Sequence, residues 1–308
     1  MRAADGIRVV TGGAGFIGSS LVRALLQEGG RVRVVDDFST GRRGNLPDGV
    51  DLLEGDVARI ADEAVRGADV VYHLAAIPSV PRSVERPLET QHATGEATLA
   101  VLRAAARAGV RRVVYASSSS VYGDTPSLPK REDMPPRPLS PYAVAKLGGE
   151  LYARSWAQRG APETVSLRFF NVFGPRQDPD SPYAAVVPIF IRCLLEGRPL
   201  PVYGDGAQTR DFTFVGDVVR GIILAGAVPG ISGRVYNLAG GRPVAVAGLG
   251  RALAKLLGAE ARMEFRPPRP GDIRDSWADV SAARRDLGFG AATPLEEGLG
   301  ATLEWFRR

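Results

Sequence analysis

The sequence predicts an α/β protein, with a doubly wound parallel sheet in its first half and a smaller α/β domain after it. Three observations lead there. Short β-branched runs alternate with segments of helical period through about residue 170, the pattern of a parallel sheet covered on both faces. A glycine-rich turn at 12–18 joins the first run to the first helix, and beyond Asn171 clusters of Pro and Gly break the alternation.

Taken in order, a strand at 7–11 leads through the turn into a helix at 16–27. Strands follow at 31–35, 50–53, 70–74, 112–117 and 164–169, with helices at 90–108 and 142–159. The first of these two helices is rich in Ala and Leu, both strong helix formers. Irregular stretches at 174–182, 199–206 and 266–271 then separate helices near 186–195, 217–225 and 249–257. Domains at 1–170 and 171–308 are expected, with some segments of the second returning to the first.

Composition narrows the class. With 44% hydrophobic and 24% charged residues, the chain is globular with ample core rather than disordered or collagen-like. No apolar run approaches the ~18–20 residues of a membrane span, and residues 1–6 leave no room for a signal peptide, so a cytoplasmic protein is expected. One cysteine, Cys193, and two histidines, His73 and His92, offer neither an internal disulfide nor a metal site. The net charge of +5 comes from arginines scattered among acids, as in Lys130-Arg131-Glu132-Asp133. Nucleic acid, which needs a basic stripe with interleaved aromatics, is not an expected partner; an anionic small substrate is, beside a solvated Arg-rich surface.

The turn reads Gly12-Gly13-Ala14-Gly15-Phe16-Ile17-Gly18. Glycines permit the tight turn and close approach to a pyrophosphate, while the helix N-terminus at Phe16 and Ile17 supplies N–H donors. Asp36-Asp37 ends the second strand about 20 residues on, where a carboxylate bonds an adenosine ribose. The sheet is therefore expected to be of the Rossmann type. Asp36 would repel a 2′-phosphate, which favours NAD over NADP. Asp56-Val57, after the third strand, is an expected adenine contact.

Tyr142 and Lys146 stand four apart, on one face of one helix. A phenol of pKa ~10 becomes a base at neutral pH only where positive charge stabilises its anion. Upstream, Ser117, Ser118, Ser119 and Ser120 end the fifth strand, where open parallel sheets bind ligands. A serine there can share a substrate proton with the tyrosine.

In chain order, Val10-Thr11-Gly12-Gly13-Ala14-Gly15-Phe16-Ile17-Gly18, His73-Leu74-Ala75-Ala76, Val121-Tyr122-Gly123-Asp124, Ser140-Pro141-Tyr142 with Lys146, Arg168 to Arg176, and Gly204-Asp205-Gly206 before Arg210-Asp211 resemble the extended short-chain dehydrogenase/reductases. Among them the nucleotide-sugar 4-epimerases are most similar. The resemblance implies bound NAD, a UDP-sugar substrate and a homodimer paired through the helices at 90–108 and 142–159. It makes Ser118, 24 residues before Tyr142, the catalytic serine, with Tyr142 and Lys146. Leu74, Ala75 and Ala76 join the cofactor site. Asn171 becomes a diphosphate contact, Arg210 and Arg269 phosphate-binding arginines, and Asp272 a uridine-ribose carboxylate; Val187 and Tyr203 also fall in the substrate site. One departure stands out: where the family has Asn after the fourth strand, this chain has His92, expected to be a structural histidine.

Related dehydratases carry Asp-Glu or Glu just before Val-Tyr-Gly, where this chain has Ser119 and Ser120. Neither titrates near neutral pH, so abstraction and return of one hydride at C4, without elimination, is the expected reaction. A UDP-glucuronate 4-epimerase is the alternative, with Arg82, Arg176 or Arg192 as the cation for C6; a further one is a silent NAD-binding regulator. Ser276, four residues after Asp272, resembles the position that closes the sugar pocket near C2. Its small size leaves room for an N-acetyl group unless its neighbour Trp277 narrows the space.

Overall fold

Seven parallel strands build the central sheet: β1 (Ile7–Thr11), β2 (Arg31–Asp36), β3 (Asp51–Glu54), β4 (Ala68–His73), β5 (Arg112–Ser118), β6 (Glu163–Phe169) and a late strand, Arg234–Leu238. From one edge, the late strand pairs with β6, then come β5, β4, β1, β2 and β3. The computed structural model describes residues 6–179, 185–268 and 273–307. The connecting helices are α1 (Phe16–Gln27), α2 (Val57–Ala64), the short α3 (Val80–Glu85) and α4 (Pro87–Thr90), α5 (Ala97–Ala108) and α6 (Pro141–Ala157). Strand order reverses between β1 and β4, which opens a crevice at their carboxyl ends.

Alternation along the strands builds two core layers. On β1, Val10 packs with Leu21, Val22 and Leu25 of α1. Its neighbour Val9 packs on the other face with Ala61 of α2 and Val101 and Leu102 of α5. Sequence alone missed α2, a short helix capped by Asp56, whose side chain accepts the Ala58 N–H. The helix expected over 90–108 is also not continuous: Gln91–Glu96 form a π-turn between α4 and α5.

The second half contributes β7 (Val172–Phe173), α7 (Val186–Leu195), β8 (Leu200–Tyr203), β9 (Thr209–Arg210), β10 (Thr213–Phe214), α8 (Val215–Ala227), the late strand as β11, β12 (Val244–Ala245), α9 (Val246–Leu257), β13 (Met263–Arg266), β14 (Asp275–Ser276), α10 (Ser281–Leu287) and α11 (Leu295–Phe306). Phe190, Leu200, Leu249, Leu253, Leu299 and Leu303 form a separate core there. Val218, Val219 and Ile222 of α8 instead join the α1 face of the sheet. With β11, this helix carries the second half back onto the first. Among the described residues, no helix is long and apolar enough to cross a membrane.

A buried relay locks the two sheet halves together. Thr98 Oγ1 donates to the Thr94 carbonyl, so it accepts from His73 Nε2, 3.1 Å away. His73 Nδ1 must then accept from Thr11 Oγ1 at 2.7 Å, and Thr11 Oγ1 accepts the Ala75 N–H. Every polar group is satisfied only if the imidazole is neutral, and burial brings its pKa down to about 3. The unfolded chain takes this proton near the ordinary value of 6.5 while the folded chain refuses it, so His73 costs stability as pH falls. The loss should approach ~1.4 kcal/mol per pH unit. Denaturant midpoints of the parent and His73→Asn, compared between about pH 6.5 and 4, test this: the parent's should fall more steeply.

Candidate active site

The cofactor cradle starts from sterics. Gly12 has φ +69°, and a Cβ there would stand 2.8 Å from the Ala75 nitrogen. A Cβ on Gly18 would stand 2.1 Å from the Gly12 carbonyl oxygen. Glycine at these two places lets α1 begin hard against the turn, while a Cβ on Gly15 would meet only the Gly12 oxygen, at 3.3 Å. No side chain caps the α1 N-terminus at Phe16 and Ile17, so its first N–H groups remain available to an anion. Leu74 and Ala75 are pinned across the turn by bonds to the Thr11 carbonyl and hydroxyl, and Ala76 continues that loop.

Asp36 is buried at the end of β2. Its carboxylate accepts the N–H groups of Ala14 and Phe38, both at 2.9 Å; burial raises its pKa, and these bonds restrain the rise. Asp37 is exposed and bonds Ser39. Asp56 lies one strand farther out, ahead of buried Val57. An uncapped helix end, a turn that admits no Cβ and a buried carboxylate beside it suit a diphosphate and a ribose, so the cradle fits a dinucleotide.

Ser118, Tyr142 and Lys146 come together at the carboxyl end of β5. Tyr142 is buried and hydrogen-bonded to Ser118; burial pushes its hydroxyl up to about 12 and the bond works against the rise. Lys146 Nζ donates to the Ala116 carbonyl at 2.7 Å and stands 5.8 Å from the centre of the Tyr142 ring. Burial lowers its own pKa to about 7 while Glu150 opposes the fall. Ser118 also caps the following turn by accepting the Ser120 N–H. Ser117 is occupied elsewhere: its hydroxyl bonds Glu150.

Asn171, Val187, Tyr203 and Arg210 line one cavity of about 270 Å3. Asn171 adopts a left-handed backbone, φ +32°, and its amide bonds the Asp211 carbonyl. Arg210 donates to the carbonyls of Thr209 and Arg274. Ser276 on β14 pairs in register with Arg210 on β9. Arg269 and Asp272 lie outside the described residues. Of the cations weighed for a hexuronate, Arg82 is paired with Glu89 and Arg176 bonds Ser20 on α1.

Sequence reasoning overlooked two buried carboxylates. Glu150 continues the row of Tyr142 and Lys146 by another four residues, a signal that was present. It forms a two-pronged ion pair with Arg168, at 2.9 and 2.7 Å. Asp211, beside Arg210, gathers the backbone N–H groups of Gly240, Gly241 and Ala278, contacts too distant in sequence to foresee. His92 was read as structural; it bridges Asp56 and Glu96 at the edge of the cofactor cradle.

Known proteins share this arrangement. A UDP-glucose 4-epimerase from Mycolicibacterium smegmatis is 42% identical, over 97% of this chain and 98% of the relative. The solved UDP-N-acetylglucosamine 4-epimerase from Methanobrevibacter ruminantium superposes with a TM-score of 0.95 at 36% identity, covering 99% of both chains. The UDP-glucose 4-epimerase of Thermus thermophilus, solved with NAD, gives 0.90 at 35% identity, covering 98% of this chain and 99% of that one. The pattern described as the NAD dependent epimerase/dehydratase family matches residues 8–239, a span that runs from β1 through the glycine cradle and the Ser118–Tyr142 pair to the end of β11, and the chain belongs to that family.

Proposed function

We propose that the chain is a NAD-dependent UDP-sugar 4-epimerase that inverts C4 of UDP-glucose and UDP-galactose and also accepts their N-acetylated counterparts. The observation that carries this reading is the bond between half-buried Ser118 and buried Tyr142, with uncharged Ser119 and Ser120 beside it. It supplies one proton acceptor and no second acid or base for an elimination. Residues 1–170 hold NAD through Gly12, Gly15, Gly18, Asp36 and Asp56, and 171–308 mainly bind the UDP-sugar through Asn171, Val187, Tyr203 and Arg210, with Arg269 and Asp272.

Held by Gly12, Gly15, Gly18 and Asp36, NAD would supply a reversible hydride acceptor for C4, and return of the same hydride would make the net reaction redox-neutral. Tyr142 takes the C4 hydroxyl proton and later gives it back. Ser118 keeps that proton in a hydrogen bond throughout, and the Lys146 ammonium favours the ionised phenol. Rotation of the 4-keto sugar between the two transfers presents its other face. Incubating the purified chain with a panel of UDP-sugars and resolving products by chromatography tests the reading; no C4 epimer from any of them overturns it.

Substrate range turns on Ser276. In register with Arg210, it sits next to a residue of the substrate cavity, where a bulky side chain would take up space. Ser276→Tyr should abolish turnover of the N-acetylated sugars while leaving UDP-glucose within a few-fold, since steric exclusion from a packed site exceeds the loss of one contact. Parallel rates on both sugars decide it; equal effects on the two would refute the pocket assignment.

A homodimer is part of the same proposal. Leu99 on α5 and Val144, Leu151 and Tyr152 on α6 are exposed apolar side chains on the two helices expected to pair. Sedimentation of the parent should give a dimer and of Leu151→Glu a monomer.

A further inference from the structure

Asp56 sits where β3 ends, one strand beyond Asp36. Its Oδ1 is occupied by the Ala58 N–H at 2.9 Å. Its Oδ2 meets His92 Nε2 at 2.7 Å, and the other ring nitrogen of His92 meets Glu96 Oε2 at 2.7 Å. Neither carboxylate can donate, so both bonds together require an imidazolium. Arg59, 3.4 Å from the same Oδ2, is the remaining charged group at this cluster among the described residues. His92 lies in the π-turn itself, which leads into α5, and α5 packs beside α2, so a side chain on the turn is within reach of the α2 cap. The cluster faces solvent, with side-chain exposures of 42% for His92 and 27% for Asp56, and an exposed ion pair contributes little to stability.

We infer that His92 is a positioning residue of the cofactor site, fixing the Asp56 carboxylate in the orientation that receives the adenine amino group of NAD. The inference rests on the NAD reading above and deepens it. Each carboxylate oxygen has two acceptor sites, so Oδ2 can hold His92 and an amino group at once. Removing His92 leaves the Oδ1 bond from Ala58, and so the α2 cap, in place, but frees the carboxylate to rotate about that one bond and turn Oδ2 away. Its two carboxylate partners raise the imidazole pKa above the ordinary 6.5. As pH climbs through that raised value, one ring N–H is lost and with it one of the two bonds.

The test titrates the full chain, stripped of nucleotide, with NAD and with its hypoxanthine analogue, which carries oxygen in place of the amino group. The parent should prefer NAD by roughly tenfold, the scale of a hydrogen bond to a charged group. His92→Leu should lose most of that preference, and His92→Gln, whose amide nitrogen reaches the place of Nε2 and can donate to Asp56, should restore part of it. Asp56→Ser, which keeps an N-cap, should lose it all. Between about pH 6 and 9 the parent's preference should decline while that of His92→Gln stays flat. Full preference in His92→Leu, or a flat parent profile, overturns the inference while Asp56→Ser upholds the adenine contact. If Asp56→Ser also keeps the preference, the adenine contact itself is wrong.

Discussion

Tyr142→Phe is expected to leave a folded chain that binds NAD yet has lost about two to four orders of magnitude of epimerisation, the range that a positioned proton acceptor contributes. Only an oxygen is removed, from a ring that is 9% exposed, so packing survives. The loss should appear in kcat and far less in NAD affinity. Activity within a few-fold of the parent would remove Tyr142 from its role. Burial pushes the hydroxyl up to about 12, so every nearby positive charge counts. Lys146→Ala should therefore move the remaining activity to higher pH, and an unchanged pH profile would sever Lys146 from the phenol.

Glu150→Ala should destabilise the fold by about 3–5 kcal/mol, the cost of leaving one member of a buried ion pair alone. That is a large share of the ~5–15 kcal/mol available to a domain. Glu150 and Arg168 are each 5% exposed, and the guanidinium also lies 4.6 Å from the Tyr122 ring. With the carboxylate gone, that cation keeps an aromatic face and the through-space charge of Glu132, but no directly paired anion. Ser117 loses its acceptor next to Ser118, so activity should fall along with stability. Replacing both partners, Glu150→Leu with Arg168→Met, should recover most of the stability, because the stranded charge is gone as well. Chemical denaturation of the three proteins checks this; a Glu150→Ala midpoint equal to the parent's would show that the pair contributes nothing.

The positions of the first six strands along the chain, the glycine turn and the Tyr142–Lys146 row were legible because each depends on local rules. Side-chain period, propensity and the space at a Cβ are properties of neighbours in the chain. Asp56 and its helix were half legible: the carboxylate was noticed, but a helix of eight residues is too short for its period to be distinctive. Among four adjacent serines the residues themselves left the choice open and the family resemblance singled out Ser118; the tertiary structure supplies the physical distinction between it and Ser117. Ser117 bonds Glu150 and Ser118 bonds Tyr142, two turns apart on the same row of α6, and that pairing follows from how the helix packs on β5. The tertiary structure also decided the state of His73, the return of β11 to the sheet and the reach of His92 across to Asp56. These contacts join residues dozens of positions apart, and their energies depend on burial, which sets the cost of a charge or an unpaired donor and exists only once the chain has closed on itself.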